Sequence, residues 1–269
     1  MLGVIDETSL GMGRSFIVRQ ANIIGALMMR EMATRYGRRG IGFLWVVGEP
    51  LLFCVGVILI WTFIRSHSAH GVNVAAFAMS GYMCLILLRH SISFSLNAVS
   101  ANLGLLYHRA LGPLHFYLAR AVLEFAGATA AFLLVYLLLL LFQQVTVPHD
   151  YILLYGGWAL MWFMATGTGF VFSGLAMRSD VMERIVPLLS YSLIPLSGVF
   201  FMIDWLPVAV RETYLLVPFP NAIEMVRAGV FGGQVTTHFR TGYAISCALA
   251  LMLAGLLLIK NAEGYVDVD

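Results

Sequence analysis

Glu49, Arg89, Arg120 and Glu124 stand within or near long apolar stretches of this 269-residue chain. An ionisable side chain inside a bilayer costs about 2.5–3.5 kcal/mol on insertion scales, so each of the four needs a partner or a task. Arg120 and Glu124 are i and i+4, on one face of one helix, where a local ion pair lowers the cost of both. Such a pair either fixes helix orientation or serves gating and cargo passage. Glu49 is followed by Pro50 about one turn inside its segment. Its carboxylate can reach the interface or Arg38 and Arg39, and the proline frees a carbonyl and permits a kink.

A second cluster is basic. Arg35, Arg38 and Arg39 lie in a glycine-rich hinge that runs straight into an apolar segment at Leu44. Each arginine near a leaflet contributes about 1 kcal/mol to binding anionic lipid, so these three can meet a phosphate group, or they can act only as topology anchors. Trp45 falls at the predicted water–lipid boundary, where tryptophan is favoured. Together these four residues form a candidate site for lipid or substrate access. Trp61, Tyr82, Trp205 and Tyr214 can stack on sugar rings or belong to an interfacial belt.

Other chemistry is excluded by pattern. A phosphate-binding loop needs a lysine beside a serine or threonine, but the only lysine is Lys260, followed by Asn261, so nucleotide hydrolysis must come from another chain. No HExxH or GxSxG motif occurs, which argues against a membrane protease or esterase. His67 and His70 have a chelating spacing without a nearby carboxylate or thiol, and no metal site is expected. Cys54, Cys84 and Cys247 lie in apolar segments and read as packing residues.

These residues must be positioned by membrane helices. The chain is 60% hydrophobic and 11% charged, with a mean hydropathy of +0.87, unlike a soluble domain with roughly 25% charged residues. Six stretches reach the roughly 20 residues that cross a bilayer: 44–64, 72–96, 114–142, 151–177, 185–203 and 241–259. Their interruptions lack a period of two, so helices are favoured over a barrel. The expected fold is an all-α membrane protein of six spans.

Arg14, Arg19, Arg30, Arg35, Arg38, Arg39, Arg109, Arg178, Arg184 and Lys260 fall on one side. Only Arg65, Arg211, Arg227 and Arg240 fall on the other. The positive-inside rule places both termini in the cytoplasm. The placement of basic residues is explained by topology and does not point to nucleic acid. No cleavable leader is expected, since Asp6 and Glu7 occupy the place of a basic n-region.

Three connections complete the reading. Phe16, Ile17, Ile24, Leu27, Met28 and Met32 recur at helical spacing opposite Arg19, Asn22 and Arg30. This predicts an amphipathic helix on the cytoplasmic leaflet, or one packed on a soluble partner, within a segment 1–43. Residues 97–109 are too apolar for a simple loop and predict either a short amphipathic helix exposing Leu105, Leu106 and Tyr107 or an extension of the flanking helices. Residues 204–240 hold apolar stretches of 12 and 10 residues broken by Pro207, Pro218 and Pro220 and ended by Gly232-Gly233. They predict two short re-entrant or interfacial helices before the last span. The transmembrane unit covers 44–260, and 261–269 forms a cytoplasmic tail.

Four blocks in this order resemble the transmembrane subunit of type-2 ABC exporters, specifically the capsular-polysaccharide permeases of Gram-negative bacteria. They are Arg35-Tyr36-Gly37-Arg38 with Gly42-Phe43-Leu44-Trp45 and Glu49-Pro50; Asn102 to Tyr107-His108-Arg109 with Pro113; Leu118 to Glu124; and Ser197 to Phe201 through Leu206-Pro207, Pro218 and Ile223-Glu224-Met225-Val226-Arg227. The resemblance covers nearly the whole chain. It implies a homodimer in the bacterial inner membrane with two copies of a P-loop ATPase subunit, which bind ATP and magnesium while this chain holds no cofactor. It also implies a coupling helix over Asn102, Leu105, Leu106, Tyr107 and His108, an interfacial N-terminal helix, a lipid-linked polysaccharide as cargo and periplasmic export proteins as further partners. An O-antigen or teichoic acid permease is the neighbouring reading. A membrane-embedded enzyme acting on lipid-linked sugar and a purely structural anchor are the readings from other classes.

Overall fold

A computed structural model describes residues 7–36, 42–64, 68–69, 72–96, 98–102 and 112–262. Nine helices lie among them: α1 Glu7–Tyr36, α2 Gly42–Ile64, α3 Val74–Leu96, α4 Pro113–Leu141, α5 Tyr151–Ala176, α6 Asp180–Leu196, α7 Val208–Tyr214, α8 Pro218–Phe231 and α9 Thr241–Ala262. The only sheet among the described residues is a hairpin of β1 Ser68–Ala69 and β2 Val72–Asn73 between α2 and α3, with Ala69 paired to Val72. His67 and His70 lie outside the described residues.

Four helices, α3, α4, α5 and α9, are long and apolar enough to cross a membrane; α2 holds a shorter apolar stretch, Val47–Trp61, and α6 has 17 residues. Local chemistry sets the helix ends. Asn73 Oδ1 accepts from the amides of Ala75 and Ala76 at the start of α3, and Asp150 Oδ1 does the same for Ile152 and Leu153 at the start of α5. Pro113 and Pro218 open α4 and α8, where a missing amide proton costs nothing.

One sequence expectation needs correction here. The fifth apolar segment was expected at 185–203, but α6 starts at Asp180 and stops at Leu196, because Gly198 turns the chain at φ +81°. The 204–240 stretch does hold two short helices, α7 and α8, with the break just before Pro218; Pro218 and Pro220 lie in the first turn of α8, which runs to Gly232 at φ +55°.

Helix α5 is the hub, packed on α3, α8 and α9. Small residues permit this closeness. A Cβ at Gly157 would stand 2.8 Å from the amide of Val226, and one at Gly229 would stand 2.5 Å from that of Leu154, so α5 and α8 touch backbone to backbone. Without water to drive helices together, such small-residue contacts are how membrane helices gain dispersion energy. Every residue of α8 from Phe219 to Phe231 is buried. Helix α1 turns Ile23, Ile24, Leu27 and Met28 onto Phe116 and Ala119 of α4, so part of its apolar face is covered by the chain itself. Leu44, Leu52, Phe53, Ile60 and Phe63 on α2 and Leu188 and Tyr191 on α6 remain exposed, as lipid-facing or subunit-facing surfaces do.

Candidate functional site

Two of the four polar residues picked from the apolar stretches, Glu49 and Glu124, converge toward the α1 end of the bundle on a histidine that sequence reasoning passed over. His90 of α3 lies between two carboxylates: its Nδ1 is 3.6 Å from Glu124 Oε2 on α4, and its Nε2 is 4.0 Å from Glu49 Oε1 on α2. Three helices thus bring their polar groups to one imidazole. The clue available in the sequence was that His90 directly follows Arg89 in an apolar segment, where each polar neighbour carries its own insertion cost. Glu49 was expected to reach the interface, Arg38 or Arg39; it faces His90, and the two arginines lie outside the described residues.

Arg120 shows what the i,i+4 reading left out. Its guanidinium meets Glu31 of α1 at 2.5 Å and donates to the Phe94 carbonyl of α3 at 2.8 Å. Glu31 and Arg120 are both buried, so this bridge joins α1, α3 and α4 in a medium where charges are poorly screened. Sequence spacing within α4 cannot reveal a partner 89 positions away.

The neighbour of Glu31 extends the connection. Arg30 donates to Asn102 Oδ1 at 2.7 Å, and the Asn102 amide donates to the Ala98 carbonyl at 2.9 Å. Gln20 of α1 also meets His115 of α4 at 2.7 Å. Helix α1 is therefore tied both to α4 and to the turn after α3. Of the residues expected in a coupling helix, Asn102 is placed by these bonds, while Leu105, Leu106, Tyr107 and His108 lie outside the described residues. Arg35 lies in the last turn of α1, and Trp45 is half exposed near the start of α2.

A cleft of about 280 Å³ opens beside His90 between α2 and α3, lined by Glu49, Phe53, Tyr82, Arg89, His90, Ser93 and Phe94 among others. Arg89 lies 4.9 Å above the Tyr191 ring of α6. Cleft, charges and aromatic faces make this the part of the molecule able to hold a polar group within an apolar bundle.

At the opposite end stands a different polar cluster. Arg227 of α8 is wholly buried and donates to the carbonyls of Gly198 (3.1 Å), Val199 (2.7 Å) and Phe201 (2.7 Å), with Glu224 at 3.3 Å and the Phe77 ring at 4.4 Å. Glu224 accepts from the amides of Ile203 and His238. Burial pushes the Glu224 carboxyl up from its ordinary value, and Arg227 with those amides pulls it back. A Cβ at Gly81 would stand 2.9 Å from the Arg227 guanidinium, so α3 must offer a glycine there. The Ile223–Arg227 block is thus a staple that folds the 198–203 turn onto α8. Beyond it, Asp204 receives His238 at 2.9 Å and Arg211 at 3.3 Å.

The aromatic residues separate by the same geometry. Trp61 and Trp205 pack on Phe77, and Tyr214 donates to the Pro195 carbonyl. Tyr82 alone of the candidates lines the cleft. Among the described residues no three metal-ligating side chains cluster.

The sequence is similar to capsule-export proteins along nearly its whole length. The chain is 38% identical over 248 residues to the capsule polysaccharide export inner-membrane protein CtrC of Neisseria meningitidis serogroup A, covering 92% of this chain and 94% of the relative. It is 38% identical to BexB of Haemophilus influenzae, which carries the same description, over 97% of this chain and 98% of that protein. The polysialic acid transport protein KpsM of Escherichia coli is 25% identical over 94% of this chain and 98% of its own length. The family model for ABC-2 type transporters matches residues 23–231, a range that starts within the paired face of α1 and ends at the last residue of α8, and the chain belongs to that family.

Proposed function

We propose that this chain is the membrane-spanning permease of an ATP-driven exporter that moves lipid-linked capsular polysaccharide across the bacterial inner membrane. The observation that carries the reading is the match to capsule-export inner-membrane proteins over more than nine-tenths of both chains. The missing P-loop lysine assigns ATP and magnesium to a separate subunit. Two copies of the permease and two of the ATPase make the working unit, with periplasmic export proteins receiving the polymer.

In this reading α2 and α6 complete six crossings with α3, α4, α5 and α9, and both termini face the cytoplasm. The α1 end is then the ATPase side. Residues 102–108 dock on the ATPase, and the bonds of Asn102 to Arg30 and to the Ala98 carbonyl give that loop a fixed root. Arg35, Arg38, Arg39 and Trp45 receive the cargo lipid at the cytoplasmic leaflet, and the short α7 and α8 close the outer end.

Two experiments test this. Proteoliposomes holding the permease and its ATPase should move a lipid-linked capsular glycan in an ATP-dependent manner; cleavage of the glycan by the permease alone would defeat the transport reading. Leu105→Asp combined with Leu106→Asp should abolish co-purification and stimulation of the ATPase while the permease still inserts. Retained co-purification would remove the docking site.

A further inference from the structure

Glu49 and Arg89 stand at one level of the bundle. Each is seven residues from the α1 end of its helix, at Gly42 and Leu96 respectively, which at 1.5 Å per residue is about 10 Å of depth. Both line the 280 Å³ cleft, yet they form no ion pair with each other. Among the described residues Arg89 lies over the Tyr191 ring and near Tyr82, with no hydrogen bond or ion pair, and Glu49 approaches only His90, at 4.0 Å. Two opposite charges, both under-bonded and separated by an open cleft, carry a high insertion cost unless something between them answers both.

The chemistry of the lining selects the ligand. A simple oxyanion on Arg89 would leave Glu49 facing a second negative charge. An uncharged sugar ring would hydrogen-bond both groups but neutralise neither. A zwitterion with a phosphate at one end and a primary ammonium at the other satisfies both, with charge-assisted hydrogen bonds to the guanidinium and the carboxylate. The faces of Tyr82 and Phe94 add cation–π attraction for the ammonium. Phe53, 58% exposed, stands at the cleft and offers the apolar surface that acyl chains would follow.

We infer that this cleft seats the headgroup of phosphatidylethanolamine, its phosphate on Arg89 and its ammonium on Glu49. The lipid occupies the mouth between α2 and α3 at the depth of the His90 cluster, where it neutralises the site in the absence of cargo. The inference rests on the membrane placement of the chain and not on the identity of the polysaccharide.

The test uses the full-length permease in mild detergent, titrated with phosphatidylethanolamine, phosphatidylglycerol and soluble glycerophosphoethanolamine, with bound lipid counted by native mass spectrometry. The wild type should retain phosphatidylethanolamine about fivefold over phosphatidylglycerol, the discrimination expected of one charge contact at a membrane surface. Glu49→Gln should erase that preference by admitting phosphatidylglycerol, while Arg89→Gln should weaken retention of both lipids. Ser93→Phe fills the cleft with both charges intact and should expel the lipid, which guards against variants that simply fail to fold. Equal retention of the two lipids by the wild type, an unchanged ratio in Glu49→Gln, or full retention in Ser93→Phe would overturn the inference. Displacement of the lipid by equimolar glycerophosphoethanolamine would overturn the lipid assignment in favour of a soluble phosphoethanolamine ligand. Since no arm involves transport, these outcomes are separate from the failure of the export reading.

Discussion

The two polar clusters are built from the same residue types and solve opposite problems. Around Arg227 both terminal nitrogens of the guanidinium find fixed acceptors: three carbonyls, a carboxylate and an aromatic face surround the wholly buried group, and only its Nε–H lacks an acceptor. Around His90 the contacts are 3.6 and 4.0 Å, three helices contribute one group each, and a cleft adjoins them. The first cluster closes a turn and commits nearly all of its polar groups to fixed partners. The second holds its imidazole within reach of two carboxylates without close contact to either, which is the state a site needs if its partners exchange during a transport cycle.

Breaking the closely bonded Arg227 cluster should therefore cost the most stability. Arg227→Ala leaves Glu224 buried without its cation and three carbonyls without a donor, a loss of about 3–5 kcal/mol. A fall in thermal unfolding temperature of the purified permease, with little folded protein recovered from membranes, is the expected outcome. Next comes the Glu31–Arg120 bridge. Glu31→Ala removes the carboxylate that meets a buried guanidinium and should cost about 3 kcal/mol, whereas Glu31→Arg with Arg120→Glu should recover part of that loss. Absence of recovery in the reversed pair would mean that the Phe94 carbonyl, which only an arginine can serve, dominates the site.

Much of the frame was legible in the sequence and little of the pairing was. Five of the six apolar segments match helices to within three residues at each end, because length and apolar content decide them. The sixth slipped, since apolar character continues through the 197–203 turn and only the left-handed backbone at Gly198 marks where α6 stops. The polar residues were singled out by their cost in lipid, but cost does not name a partner. Glu31 lies before the first apolar segment and drew no attention as a partner for Arg120. His90 was hidden by the weaker cost of a neutral imidazole. The break between α7 and α8 was legible because a proline such as Pro218 ends one helix and is tolerated in the first turn of the next.

A moderate effect separates packing from charge at the Arg227 cluster. Gly81→Ala places a methyl against the Arg227 guanidinium and the Val199 carbonyl, and should destabilise by about 1–3 kcal/mol without removing any charge. If it is silent in thermal unfolding, the staple is looser than its contacts imply and the contrast between the two ends weakens.

The smallest stability change should come from the loose cluster, and that is where it is most informative. His90→Gln keeps a polar side chain between Glu49 and Glu124 and removes only contacts of 3.6 Å or longer, so it should shift stability by less than about 1 kcal/mol. Transport should respond more strongly, because the substitution deletes the one group that can carry a proton or a positive charge between the two carboxylates. Export in reconstituted vesicles, divided by ATPase turnover in the same vesicles, gives the readout. A fall in that ratio at unchanged melting temperature marks His90 as part of the moving machinery. A fall in melting temperature comparable to that of Arg227→Ala would instead make both ends of the bundle structural, and the difference between them would reduce to geometry alone.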